Sequence, residues 1–398
     1  MAKVAYAWEF GAGLGHIGAF LPMARALRGR GHEVAWMVAD VAATASLLAK
    51  EDFTWLQAPR QTELPRQGPP LSYSDILLRF GYASDGNLLG LVVGWRELFR
   101  LAGTRLVMAD HAPTALLAAR TLDLPAVLFS SGFCVPPRQR PMPGMRPWNP
   151  VPPERLLAFD EEALSSVNAV LGRFGKAPLN AVHELFDVAE DTLLGFPELD
   201  HYASRGAARY WGNLPDAGVG DAPLWPDLPG RRLFAYVRHG SPHRDVLLAA
   251  LKDFAQPAVV FYPDAPDDVL ARFAAPHLSY TRRPIDLEAA AAQADAAITY
   301  ASLSTTTRFL LAGKPVLLLP GHLEQYLLAR RVEEMGAGLL CDPERPAVDL
   351  AHRLQRVTFD SSFAANAAAF AAKYAAFPQA VVVDNLARRV EAILGAST

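Results

Sequence analysis

An α/β architecture of two doubly wound, parallel-sheet domains is what this 398-residue sequence predicts, and three observations predict it. Short apolar runs alternate with amphipathic stretches long enough to cross over a sheet as helices. That rhythm stops and then restarts after residue 230. The stretch between the two halves is dense in Pro, Gly and Asp, the composition of an interdomain linker. A chain of this length also exceeds what one hydrophobic core usually serves.

In the first half the runs "KVAYAW", "HEVAWMVA", "TRLVMAD", "PAVLFSS" and "DTLLGFP" read as buried parallel strands. In the second half "RRLFAYV", "PAVVFYP", "AAITYA" and "KPVLLLP" do the same. The linker is "GNLPDAGVGDAPLWPDLPG". Two Rossmann-like domains facing across a cleft follow, because ligands of such sheets sit at the carboxyl ends of the strands. The expected divisions are a domain over 1–213, a linker over 214–230, a second domain over 231–376 and a terminal helix over 377–398. The proline-rich "FCVPPRQRPMPGMRPWNPVPPERL" reads as a long loop, either a lid over an acceptor or a connection stiffened by proline. "SSFAANAAAFAAKYAAF" reads as an alanine-rich helix and "VVVDNLARRVEAIL" as a final amphipathic one.

Composition narrows the function classes. The chain is 51% hydrophobic and 20% charged with a net charge of -3, so nothing draws it toward nucleic acid or an anionic membrane. Its two cysteines, Cys134 and Cys341, suggest neither a disulfide framework nor a thiolate metal site. There is no signal-peptide pattern and no apolar run of membrane-spanning length. A cytoplasmic protein without stable membrane insertion is the expectation.

Chemistry-bearing residues cluster in three places. The opening "GAGLGH" sets Gly11, Gly13 and Gly15 between a strand and a helix, then departs from the dinucleotide fingerprint by placing His16 where a last glycine would stand. An imidazole at a helix N-terminus feels the positive end of the helix dipole, which favours its neutral, proton-accepting form. His16 therefore suits a general base, or else it caps or packs the helix. Asp40 in "EVAWMVAD" imitates the ribose-binding acid of a nicotinamide enzyme and keeps a dehydrogenase as a rival. In "DAAITYASLSTTTRFLLAGKPVLLLPGHLEQ", Ser302, Ser304, Thr305 and Thr306 offer hydroxyls and backbone N–H groups at a helix start. Such a start takes a diphosphate or is merely N-capped. His322, Glu324 and Gln325 follow the next strand, either to hold sugar hydroxyls or as ordinary polar surface.

This last segment resembles the donor-binding motif of the UDP-glycosyltransferase superfamily, whose members have the GT-B fold. The opening "GLGHIGAFLPMARALRGRGHEV", "LAGKPVLLLPGHLEQ", "ARRVEEMGAG" and "FPELD" carry the resemblance, which spans most of the chain and is strongest at its two ends. It implies an inverting, metal-independent transfer of sugar from a nucleotide diphosphate to a hydroxyl or similar nucleophile of a small molecule. No cofactor is implied beyond the nucleotide-sugar donor. His16 matches the family's general base and Asp110 the aspartate that orients it. Ser304 and Thr305 match the diphosphate turn, and Glu324 with Gln325 the pair on the sugar. "YVRHGSPHRD" resembles the first donor-domain loop, which brings in His239, Gly240 and Ser241, and "RRPIDL" the base-reading segment near Arg283 and Ile285. The terminal helix is expected to cross back to the first domain.

Departures from the family are equally specific. Tyr300, Ala301 and Ser302 stand where many relatives have His-Gly-Gly, so the diphosphate leans on Ser302, the turn amides and His239 or Arg238. Arg308 stands where relatives have a ribose-binding glutamate. An arginine accepts no hydrogen bond from ribose hydroxyls, which makes dTDP a plausible donor nucleotide beside UDP. The same changes fit a binding or scaffold protein without turnover, and a sugar epimerase of the same fold is a further alternative. Gly13, Phe80, Trp95, Phe133 and Trp148 are the acceptor-binding candidates, the aromatic ones serving either to line a pocket for a flat or apolar molecule or as ordinary packing.

Overall fold

A computed structural model describes residues 1–11, 15–62, 64, 66–215, 220–342 and 350–396. It contains two six-stranded parallel sheets. The first comprises β1 (Lys3–Trp8), β2 (Glu33–Val38), β3 (Thr54–Gln57), β4 (Leu106–Asp110), β5 (Ala126–Ser131) and β6 (Glu190–Leu194), in the order β3-β2-β1-β4-β5-β6. The second comprises β7 (Leu233–Tyr236), β8 (Ala258–Phe261), β9 (Leu278–Thr281), β10 (Ala296–Thr299), β11 (Val316–Leu318) and β12 (Gly338–Leu340), in the order β12-β11-β10-β7-β8-β9. In each sheet the strand order reverses once, between β1 and β4 and between β7 and β10. At such a switch point the loops leaving two adjacent strands part company, and ligands bind there.

All nine strands expected from apolar runs are present. The three not foreseen, β3, β9 and β12, are edge strands of three or four residues. An edge strand is paired on one side only and needs no continuous apolar run, so its sequence carries a weaker signal.

The sheets sit where alternation puts their side chains. In the first, the Tyr6 ring stacks on Phe20 at 4.1 Å, and Trp36 meets both edge-on at 4.9 and 5.1 Å. Phe20 belongs to the helix Gly15–Gly29, whose buried Ile17, Phe20, Leu21, Ala24 and Leu27 recur at helical spacing. Burying each large apolar side chain contributes about 1.5–3 kcal/mol. That stripe fixes the helix on the sheet with its N-terminal turn, and hence His16, at the carboxyl end of β1. In the second sheet Leu233, Ala235 and Val237 enter one apolar cluster and Phe234 the other, the two-residue period of a strand covered on both faces.

The chain divides into two compact units, one of residues 1–194, 202–214 and 380–398, the other of 195–201 and 215–379. Segment 195–201, placed by sequence in the first domain, packs in the second unit. There Phe196 lies 4.2 Å from the Tyr374 ring, and Glu198 accepts from the Tyr374 hydroxyl at 2.6 Å. The helix Val382–Ala396 lies in the first unit, tied by Arg30 to Glu391 (2.8 Å) and by Arg389 to Glu190 (2.6 Å). The part of the expected linker after Gly220 is stitched into the second unit, with Asp221 N–H donating to Pro284 O at 2.8 Å and Asp286 N–H to Asp221 O at 2.9 Å. Gly220 passes so close to Ile285 and Asp286 that a Cβ would stand 2.4 Å from their backbone.

The proline-rich stretch is a loop only as far as Pro152, where the helix Pro153–Arg173 begins; proline suits the first helical position because its missing N–H has no partner there. Met142 and Met145 are buried, so this loop is packed rather than merely draped. Among the described residues no single helix is long and apolar enough to cross a membrane; Tyr73–Tyr82 and Asp85–Ala102 pass that test only together and are bent by 81°.

Candidate active site

At the switch point of the first sheet the register sets Trp8 beside Asp110, so β1 and β4 end level. Asp110, last residue of β4, is 3% exposed and surrounded by donors. Tyr6 Oη donates to Oδ2 at 2.8 Å, Ser130 Oγ to Oδ1 at 2.6 Å, and His16 Nδ1 lies 2.8 Å from Oδ2. Burial alone would raise this carboxyl. Its contact with His16 and the hydrogen bonds from Ser130 and Tyr6 outweigh it and hold the group below the usual carboxylate range. Burial and the Asp110 charge push Tyr6 well above the usual phenol range, so its hydroxyl keeps the proton it donates.

An ionised carboxylate only accepts, which assigns the proton to His16 Nδ1 and leaves Nε2 as the acceptor nitrogen. The imidazole is held face to face with Trp8, centroids 5.3 Å apart. Nε2 points to Gly11: a Cβ there would stand 3.4 Å from it. Gly11 has φ +92°, a backbone region glycine enters without strain. His16 and Asp110, 94 residues apart, thus form an oriented dyad.

Tyr6, Ser130, Glu9 and His111 complete this site and were missed by sequence reasoning. The available signal was polar residues inside otherwise apolar strands, in "VAYAWE" and "LFSS". Glu9, 1% exposed, follows β1 and accepts the Thr114 N–H at 3.0 Å, at the start of the helix Pro113–Thr121. Burial pushes its carboxyl up to about 8, against the lowering pull of hydrogen bonds from Thr114 and Ala115 and of Arg60.

At the switch point of the second sheet the loop after β7 meets the turn after β10. Tyr300, 4% exposed, does not offer its hydroxyl outward: Oη accepts the Arg238 backbone N–H at 2.9 Å and so pins one loop to the other. The Arg238 guanidinium lies 5.9 Å from the Tyr300 ring centroid. Ala301 has φ +56°, a left-handed turn that carries strain in a residue with a Cβ. The helix Leu303–Leu311 starts directly after it, with Ser302 as N-cap making no side-chain capping bond. Ser302 and Ser304 are exposed at this N-terminus, Thr305 is half-buried and Thr306 is buried. His239 Nδ1 lies 3.0 Å from Tyr262 Oη and 3.1 Å from Arg244, Gly240 is open, and Ser241 Oγ accepts the His243 N–H at 3.2 Å.

Other candidates fall as follows. Arg283 is exposed and paired with Asp221 at 2.9 Å, while Ile285 is buried. Glu324 is half-buried; Gln325 is buried, with Oε1 accepting the Gly321 N–H at 2.9 Å. Arg308 is buried and paired with Glu288 at 3.1 Å. Phe80 stacks on Phe10 at 4.5 Å, and Phe133 meets His111 edge-on at 5.8 Å, so both lie near the dyad's loops. Trp95 is a correction: it is fully buried against Phe99 in the interior, because its helix turns that face onto the sheet. Trp148 is 41% exposed on the proline-rich loop, and Gly13 lies outside the described residues. Asp40 caps the helix Val41–Leu48 by accepting the Ala43 N–H at 2.9 Å, which employs the acid that a dehydrogenase would need.

Comparison with solved structures matches the fold along nearly the whole chain. Glycosyltransferase VinC in complex with dTDP superposes with a TM-score of 0.69 at 16% identity, covering 98% of this chain and 99% of that one. The spinosyn rhamnosyltransferase SpnG gives 0.65 at 19%, covering 97% and 100%. CalG4, the calicheamicin glycosyltransferase, gives 0.70 at 19%, covering 99% and 98%. The fold is GT-B. No family model matches the sequence. PGL/p-HBAD biosynthesis rhamnosyltransferases of Mycobacterium bovis (strain BCG / Pasteur 1173P2) and Mycobacterium tuberculosis (strain ATCC 25177 / H37Ra) are 28% identical over 258 residues, which is 60% of this chain. The match spans 57% of the length of those curated relatives. Within the GT-B fold the two switch points hold the residues just described: a hydrogen-bonded histidine–aspartate pair in one unit, a pinned turn and a helix N-terminus in the other.

Proposed function

We infer that the protein is an inverting glycosyltransferase that moves a sugar from a nucleotide diphosphate to a hydroxyl of a small molecule. The observation that carries this reading is the His16–Asp110 pair, with Nδ1 held by the carboxylate and Nε2 turned toward Gly11. In the reaction proposed, the acceptor hydroxyl gives its proton to His16 Nε2 as its oxygen attacks the anomeric carbon. The bond from that carbon to the diphosphate oxygen breaks on the opposite face, and its electron pair leaves with the nucleotide diphosphate. Asp110 stabilises the imidazolium so formed.

Charge on the leaving diphosphate is met in this reading by the amides at the start of Leu303–Leu311, by Ser302 and Ser304, and by Arg238, without a metal ion. Arg308, tied to Glu288, offers no acceptor for a ribose 2′-hydroxyl, which favours dTDP over UDP. The complex of VinC with dTDP and the names of the rhamnosyltransferase relatives support the same choice of nucleotide and a deoxyhexose as sugar.

The test is a thermal-shift and calorimetric screen against dTDP, UDP, GDP, their sugar conjugates and NAD. A ligand at a hundred times its Kd adds about 2.7 kcal/mol to apparent stability. Preference for dTDP, lost in the Ser304→Ala, Thr305→Ala double variant, is expected, together with a His16→Ala variant that binds dTDP and turns nothing over. No response to any nucleotide would replace this reading with a scaffold role, and a response to NAD alone with a dehydrogenase.

A further inference from the structure

One buried carboxyl at the first switch point takes no part in the transfer set out above. Glu9 follows Trp8, the last residue of β1, and is 1% exposed. Its Oε2 accepts the Thr114 N–H at 3.0 Å, in the first turn of the helix that follows β4. Its Oε1 is buried and has no hydrogen-bond partner. The next backbone N–H, that of Phe10, donates to His111 O at 3.0 Å. Two bonds from successive residues, one to a side chain and one between backbones, therefore join the chain leaving β1 to the chain leaving β4.

Each side of that joint carries one half of the dyad. On the β1 side Trp8 lies face to face with His16 at 5.3 Å, and its Nε1 donates to Phe10 O at 2.6 Å. On the β4 side Asp110, directly before His111, lies 2.8 Å from His16 Nδ1. How the imidazole meets the carboxylate thus depends on how these two chain segments are held together.

We propose that Glu9 is a positioning residue for the His16–Asp110 pair and holds the joint only while its own carboxyl is uncharged; this rests on the glycosyltransferase reading above. An ionised carboxylate needs donors or water at both oxygens, and Oε1 has neither a donor nor exposure. Ionisation therefore draws water into the joint and loosens it. Arg60, from the loop after β3, pulls the carboxyl down, but burial outweighs it and pushes the group up to about 8. Tyr73 and Tyr82, from the helical stretch beside it, are raised well above the usual phenol range by burial and keep their protons. His111 lies against the Tyr73 ring at 5.9 Å, and Cys134 is buried in the turn after β5.

The test compares wild type, Glu9→Gln and Glu9→Leu with dTDP-rhamnose as donor and 4-nitrophenol as acceptor probe, following dTDP release across the neutral and alkaline range. Wild-type kcat is expected to fall by about tenfold per pH unit above about pH 8, and this limb is expected to be missing in Glu9→Gln. His111, Cys134 and the dyad are common to both proteins, so their titration cancels from the comparison. Glu9→Leu leaves the Thr114 N–H unmet and is expected to lose roughly tenfold in kcat with the dTDP Kd unchanged. Glu9→Gln, whose carbonyl still accepts that N–H, is expected to recover most of the loss. The same alkaline limb in wild type and Glu9→Gln overturns the proposal, as does a folded Glu9→Leu with wild-type kcat; should Glu9→Leu fail to fold, the first comparison decides alone. A wild type that binds dTDP-rhamnose yet releases no dTDP overturns the glycosyltransferase reading instead. The joint is then judged by amide hydrogen exchange over residues 110–116 at about pH 9. Faster exchange in wild type than in Glu9→Gln supports it, and equal rates overturn it.

Discussion

Replacing Glu9 by glutamine should remove a pH dependence of stability that lies in the neutral range. The carboxyl is 1% exposed, and burial raises it from 4.5 to about 8. Between those values the native state keeps a proton that the unfolded chain has released. Its contribution is thus fully present below about pH 4.5 and is lost as pH rises through about 8. The slope approaches roughly 1.4 kcal/mol per pH unit, so from pH 5.5 to 7.5 the loss is on the order of 2–3 kcal/mol. Glutamine is neutral throughout, and its carbonyl can still accept the Thr114 N–H that Glu9 Oε2 accepts at 3.0 Å. Urea denaturation followed by tryptophan fluorescence reads mainly the first unit, which holds all the tryptophans but Trp225. Wild type should lose ground to Glu9→Gln steadily as pH rises across that window. Two stability curves that run parallel from pH 5.5 to 7.5 would refute the claim that Glu9 is buried with its proton. The Asp110 carboxyl, held low, acts only in acid and is common to both proteins, so it cancels from the difference.

Two further outcomes follow from the sites. Asp110→Asn should leave dTDP binding intact while lowering kcat by about 10³-fold or more, because an amide in that place no longer fixes the His16 tautomer; steady-state kinetics beside calorimetry reads both. Tyr300→Phe removes the acceptor of the Arg238 N–H and should cost about 1–2 kcal/mol of stability. It should also weaken dTDP severalfold, as thermal denaturation and titration calorimetry will show.

What was legible in the sequence was whatever repeats locally. The central strands carried continuous apolar runs because both their faces are covered, whereas β3, β9 and β12 left little trace because an edge strand pairs once and is short. His16 was legible as a histidine at a helix start, while Asp110 and its place against His16 were legible only through likeness to a family position; no local pattern contained their 2.8 Å contact.

The sequence by itself determined two doubly wound sheets and the residue types of a candidate base, acid and anion-binding turn, since periodicity and short motifs are properties of neighbouring residues. Only the tertiary structure decided which side chains those residues meet. Trp95 turned out to be core, and Tyr300 to hold a backbone N–H rather than face outward. Arg308 pairs with Glu288, and His111 was brought to Gly11 beside His16. Each depends on residues far apart in the chain, and their distances are set by how helices pack on sheets, which no local pattern of residues encodes.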